Sequence, residues 1–188
     1  ARHAALLSGA GRALVPVCGK ARDLDFLAER GLQVMGIELA ERAVADYFAE
    51  RGQTPEVEQR GSFELHRHGA VTISLGDALA ADEASLGTFD FLYDRAALIA
   101  LPLPMRLAYA RVMASLVCAG ARGLLITLEH DEGSGPPFSV PRSEVDEAYS
   151  AAFEIRELES ADVTEESGHI RDKGASRVFE RAYELTRK

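Results

Sequence analysis

Five apolar runs in this chain end on polar residues of the kind that bind ligands or move charge. Val17-Cys18-Gly19-Lys20 closes the run that starts at Ala13, and Glu38 ends the run Leu32–Glu38. Gly76-Asp77-Ala78 follows Val71–Leu75, Asp94-Arg95 follows Phe89–Tyr93, and Glu129-His130 follows Ala121–Leu128. Glu38 lies about 20 residues after Gly19, the spacing at which an acid ending a second strand accepts hydrogen bonds from ribose hydroxyls. A solvated strand-end acid, or a charge at a helix N-terminus, fits the same position. A carboxylate in the ribose role repels a 2′-phosphate, which disfavours NADP. The first loop narrows the ligand further. A pyrophosphate needs several glycines so that backbone N–H groups can close on it at a helix start. "CGKARD" offers Gly19 alone and puts the like charge of Asp23 at that start. A ligand with a ribose and no phosphate is expected. S-adenosylmethionine is such a ligand, whereas NAD, and with it a dehydrogenase, is disfavoured.

These groups need a scaffold that gathers strand ends. Ala13–Val17 and Leu32–Glu38 are apolar nearly throughout, as parallel strands covered on both faces are. Asp23–Arg30 carries Leu24, Leu27 and Ala28 at helical spacing, with Asp23 as N-cap and Gly31 as stop. Glu41–Arg51 is a second helix. Gln53–Gly61 is polar, contains Pro55 and reads as a loop; Phe63–Arg67 and Val71–Leu75 flank a hairpin turn at His68-Gly69. Pro104–Leu116 and Arg142–Ala152 read as helices, the first with a core stripe of Leu107, Ala110, Met113 and Ala114. Between them "DEGSGPPFSVP" is a Gly/Pro loop. Phe153–Leu158 and Val178–Leu185 are closing strands around a polar loop, Glu165–Gly174. Strands alternating with helices predict an α/β, doubly wound, mostly parallel sheet with a C-terminal antiparallel hairpin. Ligands of such sheets bind at the carboxyl ends of the strands, near the topological switch point. All five polar groups fall there. With no repeat, linker or low-complexity tract, residues 1–188 are expected to form one domain.

Composition removes other classes. The net charge of −9 disfavours a nucleic-acid partner, which wants clustered Lys and Arg. No apolar stretch approaches the ~20 residues of a membrane span, and no signal peptide is recognisable. Cys18 and Cys118 are far apart in unlike contexts, so neither a disulfide framework nor a metal cluster is expected. A cytoplasmic setting and a monomer are expected, since no interface stripe stands out.

Five stretches together resemble the thiopurine S-methyltransferase family: "VPVCGKARDLDFLAERG", "VMGIELAERAVADYFAE", "YDRAALIALPLPMR", "LLITLEHDEGSGPPFSVP" and "FERAYELTRK". They cover most of the chain, in order and at family-like spacing. The resemblance implies a seven-stranded Rossmann-like methyltransferase sheet, S-adenosylmethionine as cofactor, S-adenosylhomocysteine as product, and a small thiol or thiopurine as substrate. It implies cofactor contacts at Val17, where leucine is more usual, with Cys18 and Gly19 beside it in the same block, and at Glu38, Asp77, Ala78 and Arg95. It gives Arg95 a substrate-side role as well, and makes Gly135–Phe138, with Pro137 and Phe138, part of the substrate wall. In the late loop the arginine expected near the substrate is best matched by Arg171, with His169 as rival. The family's N-terminal segment bears a Trp that closes over the cofactor; this chain has no Trp and about a dozen residues before its first strand, so a trimmed or different lid is expected.

The chemistry implied is in-line methyl transfer, in which the protein mostly positions and desolvates. Arg95, always charged, is expected to hold a thiolate or thiopurine anion, and Asp94 to orient Arg95 by pairing with it; a purely structural pair fits those two residues as well. Cys18 is a candidate methyl acceptor or a small core residue. Lys20 touches the cofactor carboxylate or faces water. The Pro136-Pro137 pair lines the substrate or only stiffens the loop. His66 and His68 are expected to be solvated. Acceptors based on selenium, tellurium or halide, and a non-catalytic nucleotide-binding module, are the competing readings.

Overall fold

The computed structural model of the protein describes residues 2–188. β1 (Arg12–Pro16) leads through α1 (Asp23–Ala28) to β2 (Gln33–Glu38), and α2 (Glu41–Ala49) follows. Three antiparallel-linked strands come next: β3 (Glu56–Arg60), β4 (Phe63–His68) and β5 (Val71–Leu75). After the short α3 (Glu83–Leu86), β6 (Phe89–Asp94) leads to α4 (Ala97–Ala100) and the long α5 (Leu103–Leu116). β7 (Val117–His130), α6 (Arg142–Tyr149), β8 (Phe153–Asp162), α7 (Gly168–Arg171) and β9 (Val178–Arg187) complete the chain.

The sheet order is β3-β4-β5-β2-β1-β6-β7-β9-β8. Five central strands, β5-β2-β1-β6-β7, run parallel. β9 and β8 add antiparallel at one edge, which makes the expected seven strands with their C-terminal hairpin. β4 and β3 extend the other edge to nine. β3 is the departure from expectation: Gln53–Gly61 is not wholly a loop. Glu56-Val57-Glu58-Gln59-Arg60 lacks apolar alternation because four of its five residues are exposed at a sheet edge, and only pairing with β4 makes it a strand. Its charges also discourage further pairing along that edge. The strand–turn–strand at His68-Gly69 forms as expected, with Gly69 at φ +59°. The polar segment Glu165–Gly174 contains α7.

Apolar side chains pack on both faces. On one face, Leu14, Phe89, Leu92, Leu125 and Tyr183 meet Tyr109, Met113, Val145 and Tyr149 from α5 and α6. On the other, Val15, Val34, Ile73 and Phe91 meet Leu24 and Leu27 of α1 and Val44, Tyr47 and Phe48 of α2. Burial on both faces is why β1 and β2 read as continuous apolar runs. Leu107 departs from the expected core stripe of α5 and is 38% exposed. His68 is exposed, as expected, but His66 stacks on Phe48 with ring centroids 6.5 Å apart. Among the described residues no helix is long and apolar enough to cross a membrane.

Candidate functional site

Going out from β1, the chain adds β2 and then β5 on one side, and β6 then β7 on the other. The switch point therefore lies between the carboxyl ends of β1 and β6. A cavity of about 430 Å³ opens there. Val17, Cys18 and Asp23 line it from the first loop, Arg95, Ile99 and Ala100 from the segment after β6, and Pro136 and Pro137 from the Gly/Pro loop. Arg95 is the one cationic side chain on this lining and Asp23 the one acid.

The backbone of the first loop is unusual. Gly19 has φ +51°, and Val17, a β-branched residue, has φ +49°. A branched side chain in the left-handed region is a genuine outlier; Val17 thus occupies a conformation that a second glycine would adopt freely. The loop is tied down by main-chain bonds: Cys18 N–H donates to Ile37 O at 3.0 Å, and Ala21 N–H to Cys18 O at 3.0 Å. Cys18 is buried with its Sγ against Gly36, where an added Cβ would lie 2.6 Å from the sulfur. Burial, reinforced by the nearby Glu38 charge, pushes the Cys18 thiol far up, so it packs rather than reacts. Lys20 turns away from the cavity and pairs with Glu50 and, at 3.9 Å, with Asp46 of α2. Asp23 is not the cap of α1. Arg22 holds that position without a side-chain cap bond, and Asp23 begins the helix.

Glu38 is 8% exposed. Its Oε1 accepts Leu39 N–H at 2.9 Å and Ala40 N–H at 2.8 Å, while Oε2 accepts Gly19 N–H at 2.8 Å. This one carboxylate ties the end of β2 to the first loop. Oε2 keeps room for a further donor. Next to it Leu39 is 71% exposed. The sequence reading passed over this exposed apolar side chain; the signal was an apolar residue just past a strand end. Asp77 accepts Leu79 N–H at 2.9 Å and so caps the short turn Ala78–Ala80. Glu38, Asp77 and Ala78 do not line the 430 Å³ cavity but stand at the neighbouring ends of β2 and β5.

The expected pairing of Asp94 with Arg95 is overturned. Asp94 is fully buried; its Oδ2 accepts Tyr109 OH at 2.7 Å and Tyr149 OH at 3.2 Å, and its Oδ1 accepts Ala97 and Leu98 N–H. The reason is the pleat: neighbouring residues at a strand end point to opposite faces, so Asp94 enters the α5–α6 core as Arg95 reaches the cavity. Burial pushes the Asp94 carboxyl up against the pull of these donors. Arg95 is 57% exposed and donates instead to Asp23, at 3.3 Å. Tyr93 lies beside this pair, its phenol pushed up by burial and then by the Asp23 charge. Asp23, Tyr93 and Arg95 also border a second cavity of about 510 Å³ on the α1 face.

Arg171 and His169 lie on α7, exposed and outside the lining of the first cavity, and Arg171 pairs with Glu165 at 2.9 Å. The cation of this segment that reaches the cavity wall is Lys173, whose Nζ donates to Pro136 O at 3.1 Å. Phe138 also stays outside the lining. Its ring covers Gly135, where a Cβ would be 2.2 Å from a ring carbon, and its N–H donates to Ile99 O at 2.6 Å. No His/Cys/Asp/Glu cluster able to hold a metal occurs among the described residues.

The family model described as "Thiopurine S-methyltransferase (TPMT)" matches residues 2–188. A protein of Pseudomonas putida named thiopurine S-methyltransferase is 43% identical over 183 residues, which is 96% of this chain and 84% of that protein. One of Azotobacter vinelandii with the same name is 42% identical, covering 97% of this chain and 84% of that protein. Among solved structures, the N-terminal domain of EvdMO1, crystallised in the presence of SAH and D-fucose, superposes with a TM-score of 0.66. It covers 100% of this chain and 80% of that one at 18% identity, a likeness of fold.

Proposed function

The chain belongs to the thiopurine S-methyltransferase family, an S-adenosylmethionine-dependent one, and on that premise we propose that it methylates the sulfur of a small thiol or thiopurine. The whole chain acts as one domain in this reading. The observation that carries it is Arg95, the single cation on a largely apolar wall, half-exposed and held by one 3.3 Å contact to Asp23, the one acid there. Such a wall suits a soft anion with an apolar body, and a thiolate is one.

The residues fit the cofactor. Oε2 of Glu38 retains acceptor capacity for a ribose hydroxyl, and Leu39 offers an apolar face to a purine. Asp23 at the start of α1 disfavours a phosphate there. S-adenosylmethionine supplies an activated methyl on a sulfonium, so no protein nucleophile is needed. The chain's part is to bind and orient. A thiol near pKa ~8.5 is partly ionised at neutral pH, and a cation beside it favours the thiolate. Arg95 supplies that charge without acting as a base. Ile99, Ala100, Pro136 and Pro137 exclude water from the sulfur, which strengthens its attraction to Arg95. Asp94 takes no part in the transfer; it fixes the strand end from which Arg95 projects.

A competitive panel of acceptors with methyl-labelled cofactor tests the assignment. Label is expected in 6-mercaptopurine or thiophenol, with weaker transfer to selenide and none to iodide. Transfer to selenium or halide with every sulfur acceptor silent would sink it.

A further inference from the structure

Two segments, the end of α4 and the Gly/Pro loop, wall the acceptor side of the cavity, and one buried guanidinium grips the chain just beyond each of them. Ile99 and Ala100 line the cavity and run into Leu101; Pro136 and Pro137 line it and run into Phe138 and Ser139. Arg106 lies on the first turn of α5 and is 4% exposed. Its Nε donates to Leu101 O at 2.9 Å. Its Nη1 donates to Ser139 O at 3.4 Å and to the carboxylate of Glu144 on α6. The ring of Phe138 lies 5.8 Å from the guanidinium carbon. The two segments also meet directly, through Phe138 N–H and Ile99 O.

Stability alone does not call for an arginine here. A buried ion pair loses much of its attraction to desolvation, and a well-packed apolar replacement is often as stable. What an apolar side chain cannot do is bond carbonyls of two separate segments at once. The rigid fork of a guanidinium can, and lysine, a compact point charge, cannot hold the same geometry. Glu144 balances the charge, and both carbonyls lie one or two residues beyond a cavity-lining side chain.

We propose that Arg106 is a positioning residue for the methyl acceptor: by fixing Leu101 to Ser139 it sets the width of the slot between Ile99–Ala100 and Pro136–Pro137. It does not line the slot and does not touch the reacting atoms. This rests on the reading of the cavity as the acceptor site. Arg106 bonds Leu101, Ser139 and Glu144 and neither Glu38 nor the first loop, to which the proposed function assigns the cofactor, so the effect is expected on the acceptor.

The test is Arg106→Lys in the full chain, which keeps the charge near Glu144 and loses the fork. Acceptor KM for 6-mercaptopurine is expected to rise at least tenfold, with the dissociation constant of S-adenosylhomocysteine within twofold of wild type. Hydrogen exchange at the Phe138 amide is expected to quicken at least tenfold, while amides of β1 and β2 keep their wild-type rates. A Lys variant with wild-type KM and wild-type Phe138 exchange overturns the proposal, as does a uniform rise in exchange across the sheet. Wild-type exchange decides the matter if the variant does not fold. The Phe138 and Leu101 amides are expected to be protected and to open together, and a freely exchanging Phe138 amide overturns the proposal. If wild type methylates no sulfur acceptor, the functional reading fails, while the exchange measurements still judge the role of Arg106.

Discussion

The two sides of the site are held by different means. The first loop, Val17 to Lys20, is held through its own main chain: Cys18 N–H bonds Ile37 O of β2, and Gly19 N–H bonds the Glu38 carboxylate, which also takes Leu39 and Ala40 N–H. The acceptor side is fixed by side chains buried below it, Asp94 under the segment after β6 and Arg106 between that segment and the Gly/Pro loop. Main-chain holding puts little of the loop's hydrogen bonding on its own side chains. Side-chain holding concentrates the geometry of a whole wall in two residues. Substitutions should therefore fail abruptly on the acceptor side and gradually on the cofactor side.

Asp94→Ala is expected to have the largest effect. It strands two phenols and two N–H groups in the core, a loss of about 3–5 kcal/mol in unfolding free energy. Urea titration measures it, and a change below about 1 kcal/mol would mean that the buried cluster is not held as described. Arg95→Ala, one residue away, is expected to leave stability nearly untouched because its side chain is half exposed. Its effect falls on turnover, by roughly 100-fold, as when one electrostatic partner of a reacting group is removed. Calorimetry with S-adenosylhomocysteine should show a much smaller change; equal losses would make Arg95 a cofactor ligand only.

Glu38→Gln breaks the comparison from the other side. The amide nitrogen is a donor facing backbone donors, and one strong acceptor is lost. Cofactor affinity is expected to fall by about 1–3 kcal/mol, with acceptor KM preserved. An unchanged S-adenosylhomocysteine affinity removes Glu38 from the site.

Which parts were legible in the sequence follows from the same division. The central strands announced themselves because burial on both faces demands unbroken apolar runs. The place of Glu38 at the end of β2 was legible because a fixed βαβ geometry sets its spacing from Gly19. The Asp94 partner was not. Adjacent residues suggest a pair, but the pleat sends them to opposite faces, and Tyr109 and Tyr149 lie 15 and 55 residues away. β3 was illegible because an exposed edge strand needs no apolar period, only a partner. Arg171 misled for a related reason: spacing in a polar segment fixes no direction, and it is Lys173 that touches Pro136. Arg106 was passed over because a charged residue in a helix pattern reads as solvated until tertiary contacts bury it.

The smallest expected effect tests the loop itself. A residue with a Cβ at φ +49° carries about 1–2 kcal/mol of steric strain that glycine does not. Val17→Gly removes this strain, but glycine lowers stability by about 0.5–1 kcal/mol through its freer unfolded chain. It also gives up the packing of a half-buried isopropyl group against the α5 side of the core. These terms nearly cancel. Val17→Ala gives up most of the same packing and keeps the strain. Glycine is therefore expected to be more stable than alanine at position 17, by about 1 kcal/mol, which reverses the usual order in strands and helices. Paired urea titrations of the two variants give the sign directly. Alanine above glycine would mean that the backbone at Val17 is not left-handed, and the loop would lose the one feature that lets a single glycine suffice.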